Sequence, residues 1–589
     1  MAIVKMSKIR VLGLLDDKNK VYDYLCNNAK VHISKTYDYK DTFSNDNAKK
    51  VEENENLRKD IDSLIDFMES VFGEKEIIEV TKTELEGIKD NQEDVLEVIK
   101  SCMSLKNEYQ KIKDSIEKEK NLIPILLANK DKLLSELKQN KIINIEIEKD
   151  CLASEKLSTI KQNIAQNEDK KKSLEEDICQ YKQNLRQIKL YREHIALNEE
   201  KSKLDLLIKT TQTTFVLEFF TQKEEQEKVC DGLQKLSPTI ISEQVKINDD
   251  ELPPTLLKNG KLTKQAEFVT DMYSTPSYKE RDPNLLVFWF FMIFFGYIMA
   301  DIGLGITLIF AGLFLSKKSE KGSGAQKLWS LITTGGVFTI VWGILYNSMF
   351  GFSVLPFTIM PNPSEQAILT LLICLLMGVI HIACGYFMSG LNAIKQQKIV
   401  SAIFDCFMWD VFFIGFLMAG TKFLLDFFSL IDKSSMLAEI LAFIQLPGLI
   451  LMLTSLLIII VMSARHGKGV FGKAIKAFSS AYGLINLFSD ILSYARLFGL
   501  MLSGAIIGQQ FDQIGLGLMS GGSILGIVFG IVVIVIGNAF NLAMGALGAY
   551  IHDCRLQYIE YFGKFYTGEG MPFKAFSPKY KYITIKSED

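Results

Sequence analysis

A chain of 589 residues is too long for one compact domain, and a net charge of −3 favours neither a nucleic-acid nor an acidic partner. A mean hydropathy of +0.15 together with 23% charged residues is contradictory for a single domain. Two unlike halves explain it, because Lys, Glu, Asp, Gln and Asn dominate up to about residue 284 and Phe, Leu, Ile and Gly dominate after it.

The first 47 residues predict a small α/β lobe. Apolar runs at 9–15 and 31–34 have strand character, and residues 18–28 between them have helical spacing. The start has no apolar core of signal-peptide length, so we expect the first half on the cytoplasmic side. The nine cysteines form no C-x-x-C pair, which is typical of free thiols facing a reducing compartment.

Residues 48–207 predict a coiled-coil stalk arm. Apolar residues recur three, four or seven apart among dense Lys and Glu, which is typical of long helices with one narrow apolar stripe. The alternative is a pair of solvated surface helices on a globular body. Pro124 is the single proline here and predicts a kink or reversal, so we expect an antiparallel hairpin. Residues 208–284 then predict a second α/β lobe and linker.

Residues 285–589 predict a membrane domain of about eight helices with a short cytoplasmic tail. The first two apolar runs are short and flank Asp301, where we expect a tight hairpin. The last two exceed the roughly 20 residues of a straight crossing, so we expect two long tilted helices. The eight runs are 284–300, 302–316, 327–350, 365–390, 400–427, 441–464, 479–511 and 522–561.

Basic residues indicate the orientation of these spans. Lys and Arg concentrate after spans two, four, six and eight, whereas the opposite loops offer little beyond Lys422 and Lys433. By the positive-inside rule both termini are cytoplasmic. The expected fold is therefore mainly α, with α/β lobes joined by a long antiparallel coiled coil and followed by a multi-pass helix bundle, in the plasma membrane if the organism is prokaryotic.

Arg496 lies near the middle of the seventh span. A charged side chain there costs roughly 2.5 to 3.5 kcal/mol on insertion scales and cannot easily reach the headgroups, so it must face a partner or water. Asp490 and Ser493 lie six and three residues before it. One reading is an ion pair with Asp490 that holds a bundle together, and the other is a role in moving ions.

A second polar cluster ends the last span. Residues 541, 545, 548 and 552 share one helical face, on which Gly545 and Gly548 permit close contact. Two arginines on neighbouring tilted helices interrupt a chain of ionisable sites, as a leak-free ion path requires. A carboxylate on another helix would release its ion when an arginine approached. The cluster comprises Asn538, Asn541, His552, Asp553, Arg555, Gln557 and Glu560.

Two weaker patterns in the sequence do not meet the requirements of a cofactor or metal site, so we expect neither. Residues 467–473 match G-x-x-x-x-G-K, but Ala474 stands where a phosphate loop needs a hydroxyl. The histidines have no metal-ligand spacing. Within a span, His381 is either a hydrogen-bonded packing residue or a proton relay.

Four stretches together resemble one family. They are S-Y-A-R-L at 493–497 with N-L-F-S-D before it, R-L-Q-Y-I-E-Y-F-G-K-F-Y at 555–566, P-P-T-L-L-K-N at 253–259, and F-F-G-Y-I-M-A-D-I-G-L-G at 294–305. The chain is similar in these stretches, in order, to the a subunit (subunit I) of V/A-type rotary ATPases. The resemblance is weakest in the coiled-coil region.

The resemblance implies a stator without catalytic chemistry of its own. Its membrane half would provide two offset half-channels for H⁺ or Na⁺ beside a rotating ring, and its first half would anchor peripheral stalks. The implied partners are a proteolipid c/K ring, peripheral-stalk subunits of E and G type, a central-stalk-cap subunit of C/d type and membrane lipid, with no nucleic acid.

The resemblance also assigns site residues. Arg496 corresponds to the essential arginine beside the ring carboxylates, and Arg555 to a second one, with Ser493 and His552 close by in the sequence. Some relatives carry a glutamate about three turns before the second arginine, where this chain has Gly545. The ion-release half-path then relies on Asn541, Asn538, Gln509, Gln510 or Asp512, and the uptake half-path on Asn486, Asp490, Asp405 and Asp410.

Two other classes of protein compete with this reading. A secondary ion transporter with a cytoplasmic coiled-coil regulatory domain would carry inverted repeats and broken spans in matching positions, and the sequence has no such symmetry. A purely structural membrane tether would need neither Arg496 nor Arg555.

Overall fold

The computed structural model is mostly helical and divides into two compact units. The N-terminal unit comprises Ser7–Lys246 and Lys574–Asp589, and the C-terminal unit comprises Met1–Met6 and Ile247–Phe573. The structure describes residues 3–28, 30–34, 45–73, 77–80, 92–140, 143–248, 251–319, 322–353, 356, 359–360, 363, 366–427, 436–521, 523–577 and 580–585.

Segments from both ends of the N-terminal unit share one sheet. Its strands lie in the order β2-β5-β1-β6, and a short β4 pairs with β5. Inward-facing Ile9, Val11, Phe215, Leu217 and Phe219 are fully buried in its core. The two predicted α/β segments therefore build a single lobe. Its elements are β1 (Met6–Leu14), α1 (Lys18–Asn28), β2 (Val31–Ile33), β4 (Lys209–Thr210), β5 (Thr214–Gln222), α6 (Gln226–Leu236) and β6 (Ile241–Val245).

Long helices occupy the chain between these strands. They are α2 (Asn45–Phe72), α3 (Gln92–Asn140), α4 (Ile143–Gln180) and α5 (Leu185–Asp205), and β3 (Ile78–Val80) follows α2. Helix α3 runs antiparallel to α4, because Lys120 pairs with Glu168 at 2.9 Å and Tyr109 with Glu175 at 2.9 Å. Helix α2 packs against α5.

Pro124 is not the point where the predicted hairpin reverses, and the kink offered as the alternative stays a prediction. Pro124 lies inside α3, which continues to Asn140, and α4 begins at Ile143. A proline removes one helical hydrogen bond, and the antiparallel contacts of α3 with α4 offset that loss. Supercoiling of this pair stays a prediction.

The end of the described chain belongs to the N-terminal unit. Strand β7 (Ile583–Ile585) pairs in parallel with β3. The backbone N–H groups of Lys581 and Tyr582 both donate to Oε1 of Glu193 at 2.9 Å. The segment predicted as a short cytoplasmic tail is packed into this unit.

A buried carboxylate in the central sheet predicts sensitivity to acid. Burial raises the pKa of Glu218, but hydrogen bonds and charges from Lys8 and Arg10 lower it further, so its pKa lies below the usual value of about 4.3. Its stabilisation is present above that value and is lost as the pH falls through the folded pKa. We expect hydrogen-exchange protection of β1 and β5 to drop from about pH 5 to about pH 3, and to drop less in Glu218→Gln. The exposed Glu243→Gln is the control, and an unchanged pH slope in Glu218→Gln would contradict the prediction.

Among the described residues, six helices are long and apolar enough to cross a membrane: Gly324–Tyr346, Ala367–Lys395, Ile399–Lys422, Glu439–Ser463, Gly469–Met519 and Ile524–Lys564. The first two predicted spans form shorter helices, so the count of eight stays a prediction. The helices of this unit are α7 (Thr263–Tyr273), α8 (Asn284–Met299), α9 (Ile302–Lys318), α10 (Gly324–Tyr346), α11 (Ala367–Lys395), α12 (Met408–Phe427), α13 (Met436–Ser463), α14 (Gly469–Leu492), α15 (Ala495–Met519) and α16 (Ile524–Arg555).

Asp301 sits between α8 and α9, but these helices do not form the predicted two-helix hairpin. Both pack mainly against α10. A Cβ on Gly305 would lie 2.9 Å from the carbonyl oxygen of Gly336, so α9 and α10 touch through their backbones. Each of the two helices therefore packs on α10, and they do not pair directly with each other.

The predicted span 479–511 is two helices. Helix α14 ends at Leu492 and α15 begins at Ala495. Between them the backbone hydrogen bonds span three residues instead of four, because the N–H of Arg496 donates to the Ser493 carbonyl at 3.3 Å and the N–H of Leu497 donates to the Tyr494 carbonyl at 3.0 Å. Helix α15 packs along α16.

Candidate functional site

Arg496 lies in the first turn of α15, directly after the helix interruption. Its side chain is half-buried, and its buried Nη1 has no hydrogen-bond partner among the described residues. The charges that act on it are those of Arg555 and Glu560. Arg555 is exposed, whereas Glu560 is 2% exposed and lies close to Ser493. Arg496 is thus within electrostatic range of a second arginine and of one buried carboxylate.

The reading that Arg496 pairs with Asp490 is wrong. Asp490 binds Lys564, with 2.5 Å between Oδ2 and Nζ, and Lys564 also lies 5.6 Å from the ring centre of Tyr386. Asp490 lies near the end of α14, whereas Arg496 lies on α15, beyond the interruption. Among the described residues, Arg496 is therefore left without the carboxylate that would make it a simple structural ion pair.

A cavity of about 370 Å³ lies between α15, α16 and the turns that follow α8 and α10. The residues predicted to share one face, 541, 545, 548 and 552, all line it. At one end the charges of Arg496 and Arg555 both act on His552. Asp301 also lines the cavity, and none of the described lining residues is Lys or Arg. The cavity therefore has a mixed polar and apolar wall, and its His552 end lies within electrostatic range of the two arginines.

The release-side candidates gather at this cavity. Asn538 Nδ2 donates to Asp512 Oδ1 at 3.0 Å, and Asn541 Nδ2 donates to the carbonyl oxygen of Gly504 at 3.2 Å. Gln509 lines the cavity, and Asp512 lies behind Gly351 and Asn538, which both line it. Gln510 is exposed and is not among the described lining residues.

The uptake-side candidates form a separate group. Asp405 binds Arg465 at 2.6 Å, and both carboxylate oxygens of Asp410 are buried without a hydrogen-bond partner among the described residues. Asp410 and Asp490 both act on the ring hydroxyl of Tyr386. Asn486 is exposed on α14.

Sequence reasoning missed Lys564 and the role of Asp301. Asp301 accepts hydrogen bonds from the backbone N–H groups of Leu304, Phe350 and Gly351 at 3.0 to 3.2 Å and from Ser348 Oγ at 2.7 Å. An isolated Asp inside an apolar stretch was the available signal.

His381 fits the packing reading. It is fully buried, its Nδ1 lies 2.8 Å from the Tyr494 hydroxyl, and its ring stacks on Tyr561 at 4.4 Å.

Comparison with known proteins gives consistent matches. Residues 147–361 match the V-type ATPase 116kDa subunit family. A-type ATP synthase subunit I of Pyrococcus horikoshii is 30% identical over 410 residues, which cover 68% of this chain and 59% of that protein. The Methanocaldococcus jannaschii subunit I is 26% identical, with 82% and 74% covered. V-type ATP synthase subunit I of Borreliella burgdorferi is 24% identical, with 95% and 96% covered.

The chain thus spans 59% of the length of the Pyrococcus protein and nearly all of the Borreliella protein. Together with the six apolar helices, these relatives identify an integral membrane protein.

Proposed function

From the premise that the chain belongs to the V-type ATPase 116kDa subunit family, we propose that it is the stator of the membrane sector of a rotary ATPase. In this role it provides two offset half-channels for H⁺ or Na⁺ beside a rotating proteolipid ring. ATP is hydrolysed or made on other subunits. The N-terminal unit anchors peripheral-stalk subunits of E and G type and meets the C/d-type cap, and both termini are cytoplasmic, in the plasma membrane if the organism is prokaryotic.

The guanidinium of Arg496 carries the proposal. It is half-buried, and among the described residues its Nη1 has no hydrogen-bond partner and no carboxylate forms a direct ion pair with it. Such an arginine is costly inside a membrane unless a partner arrives from elsewhere. A carboxylate on a passing ring helix supplies that partner. The approach of Arg496 favours the ionised carboxylate and so displaces the ion it carries.

The two candidate groups supply the half-channels. The cavity between α15 and α16 has His552 at one end, within range of the charge of both arginines, and serves the release side. The group around Tyr386, with Asp410 and Asp490, serves the uptake side. The arginine pair between them prevents an ion from crossing directly, because a cation cannot pass two fixed positive charges without a carrier.

An open face on α15 suits a ring helix. Arg496, Gly499, Ser503 and Gln510 recur at helical spacing and are exposed or half-buried. A Cβ on Gly499 would meet no described atom within 4 Å. Small residues beside an arginine let another helix come close in a membrane.

Cysteine cross-linking tests the ring contact. We expect the purified complex to contain a small apolar protein with an intramembrane Glu, and Ser503→Cys to cross-link with a cysteine placed one turn from that Glu. The control is Leu453→Cys, which is 53% exposed on α13 and should give no cross-link. Equal yields at both positions, or a complex without such a protein, would refute the proposed role.

A further inference from the structure

Two buried oxygens beside the cavity have no hydrogen-bond donor. Asp512 is 1% exposed and Asn538 is 8% exposed. Asn538 Nδ2 donates to Asp512 Oδ1 at 3.0 Å and to the Ile534 carbonyl at 3.1 Å, which fixes the orientation of the amide. Asp512 Oδ2 and Asn538 Oδ1 therefore remain as unpaired acceptors among the described residues. Buried acceptors of this kind require a donor or a cation.

The surrounding charge favours a cation. The charge that acts on Asp512 is another negative one, that of Asp301. Asp301 is already satisfied by four donors, whereas Asp512 has only the amide of Asn538 among the described residues. The described cavity lining contributes no Lys or Arg. A buried carboxylate without a countercharge is unfavourable, and a bound cation would offset that cost.

We propose that Asp512 and Asn538 bind a small, partly hydrated monovalent cation of the size of Na⁺ or Li⁺. A cation between Asp512 Oδ2 and Asn538 Oδ1 would satisfy both acceptors. A proton on Asp512 Oδ2 donated to Asn538 Oδ1 is the competing arrangement, and the Na⁺-binding and infrared measurements below separate the two. Hard cations prefer oxygen ligands, and Asn538 lines the cavity, which has room for waters to complete the shell. A divalent ion usually takes more carboxylates, and the described residues contain no group of three or more His, Cys, Asp or Glu side chains suited to a metal.

Only the role of this site in transport rests on the proposed function. In that role the site would hold the ion temporarily in the release half-channel. Binding itself needs neither the ring nor rotation, so it is measurable on this chain alone.

Binding of ²²Na⁺ to the purified full-length chain in nanodiscs tests the site. We expect saturable binding of one ion per chain, competed by Li⁺ and weakened about 10- to 100-fold in Asp512→Asn, the range typical for disturbing a carboxylate at a metal site. Asn538→Leu, which removes only the neutral oxygen, should weaken binding less. The matched control is Asp426→Asn, an exposed carboxylate on α12, which should bind as wild type does.

The outcomes separate the two proposals. No saturable Na⁺ binding, or unchanged binding in Asp512→Asn, overturns the cation site. A carboxyl group at 512 that takes up protons but no Na⁺, seen by infrared difference spectra of wild type against Asp512→Asn, also overturns it. Intact Na⁺ binding in a complex whose Arg496→Gln variant still pumps would leave the site standing and refute the stator role.

Discussion

Arg496→Gln is expected to abolish ATP-driven ion uptake into inverted membrane vesicles. Glutamine keeps hydrogen-bonding groups and much of the length but loses the charge that displaces the ion from a ring carboxylate. Removing one preorganised charge-stabilising group usually costs about 10²- to 10³-fold in rate, so uptake should fall to the background. Pumping by the purified complex in liposomes, normalised to complex content, measures the effect.

Assembly should survive this substitution. Among the described residues Arg496 makes no direct ion pair and acts on the buried Glu560 only at longer range, so its loss breaks no close pair and removes a charge that costs about 2.5 to 3.5 kcal/mol to insert. Lys422→Gln, near the end of α12, is the control and should pump normally. Sustained pumping by Arg496→Gln would refute the ion-path role, whereas failure to assemble would support the structural reading.

Asp301→Ala is expected to destabilise the C-terminal unit by on the order of 5 kcal/mol, because it leaves three backbone N–H groups and one hydroxyl without their acceptor. The turn after α10 and the N-terminus of α9 would separate. Since Asp301, Ser348 and Gly351 all line the cavity, its wall would be lost as well. Thermal unfolding of the purified chain in detergent measures the change.

A graded series tests the cause. Ser348→Ala removes one of the four bonds and should cost only about 1 kcal/mol. Asp301→Asn keeps one acceptor oxygen and should fall between the two. If Asp301→Ala were no less stable than Ser348→Ala, the carboxylate would not be the centre of this turn.

Local periodicity predicted much of the architecture. The helical spacing of 541, 545, 548 and 552 places them on one face, and the structure puts all four at the cavity. The midspan position of Arg496 singled out this residue without any structure, and its role in an ion path stays a prediction. These successes share a cause, because they depend on residues within one helix.

Long-range pairings were out of reach. Asp490 pairs with Lys564, 74 residues away in the chain, and not with Arg496, which is six residues away. The single sheet of the N-terminal unit joins strands from distant segments, and β7 pairs with β3 across most of the sequence. Pro124 shows the opposite error, since a local rule yielded to tertiary packing.

The interruption at Ser493 and Tyr494 also changes the direction in which the side chains of α15 point. Hydrogen bonds that span three residues turn the backbone by about 120° per residue instead of about 100°, so two such residues rotate everything after them by roughly 40°. Had α14 and α15 been one unbroken helix, the face that carries Arg496, Gly499 and Ser503 would point to another side relative to the residues of α14.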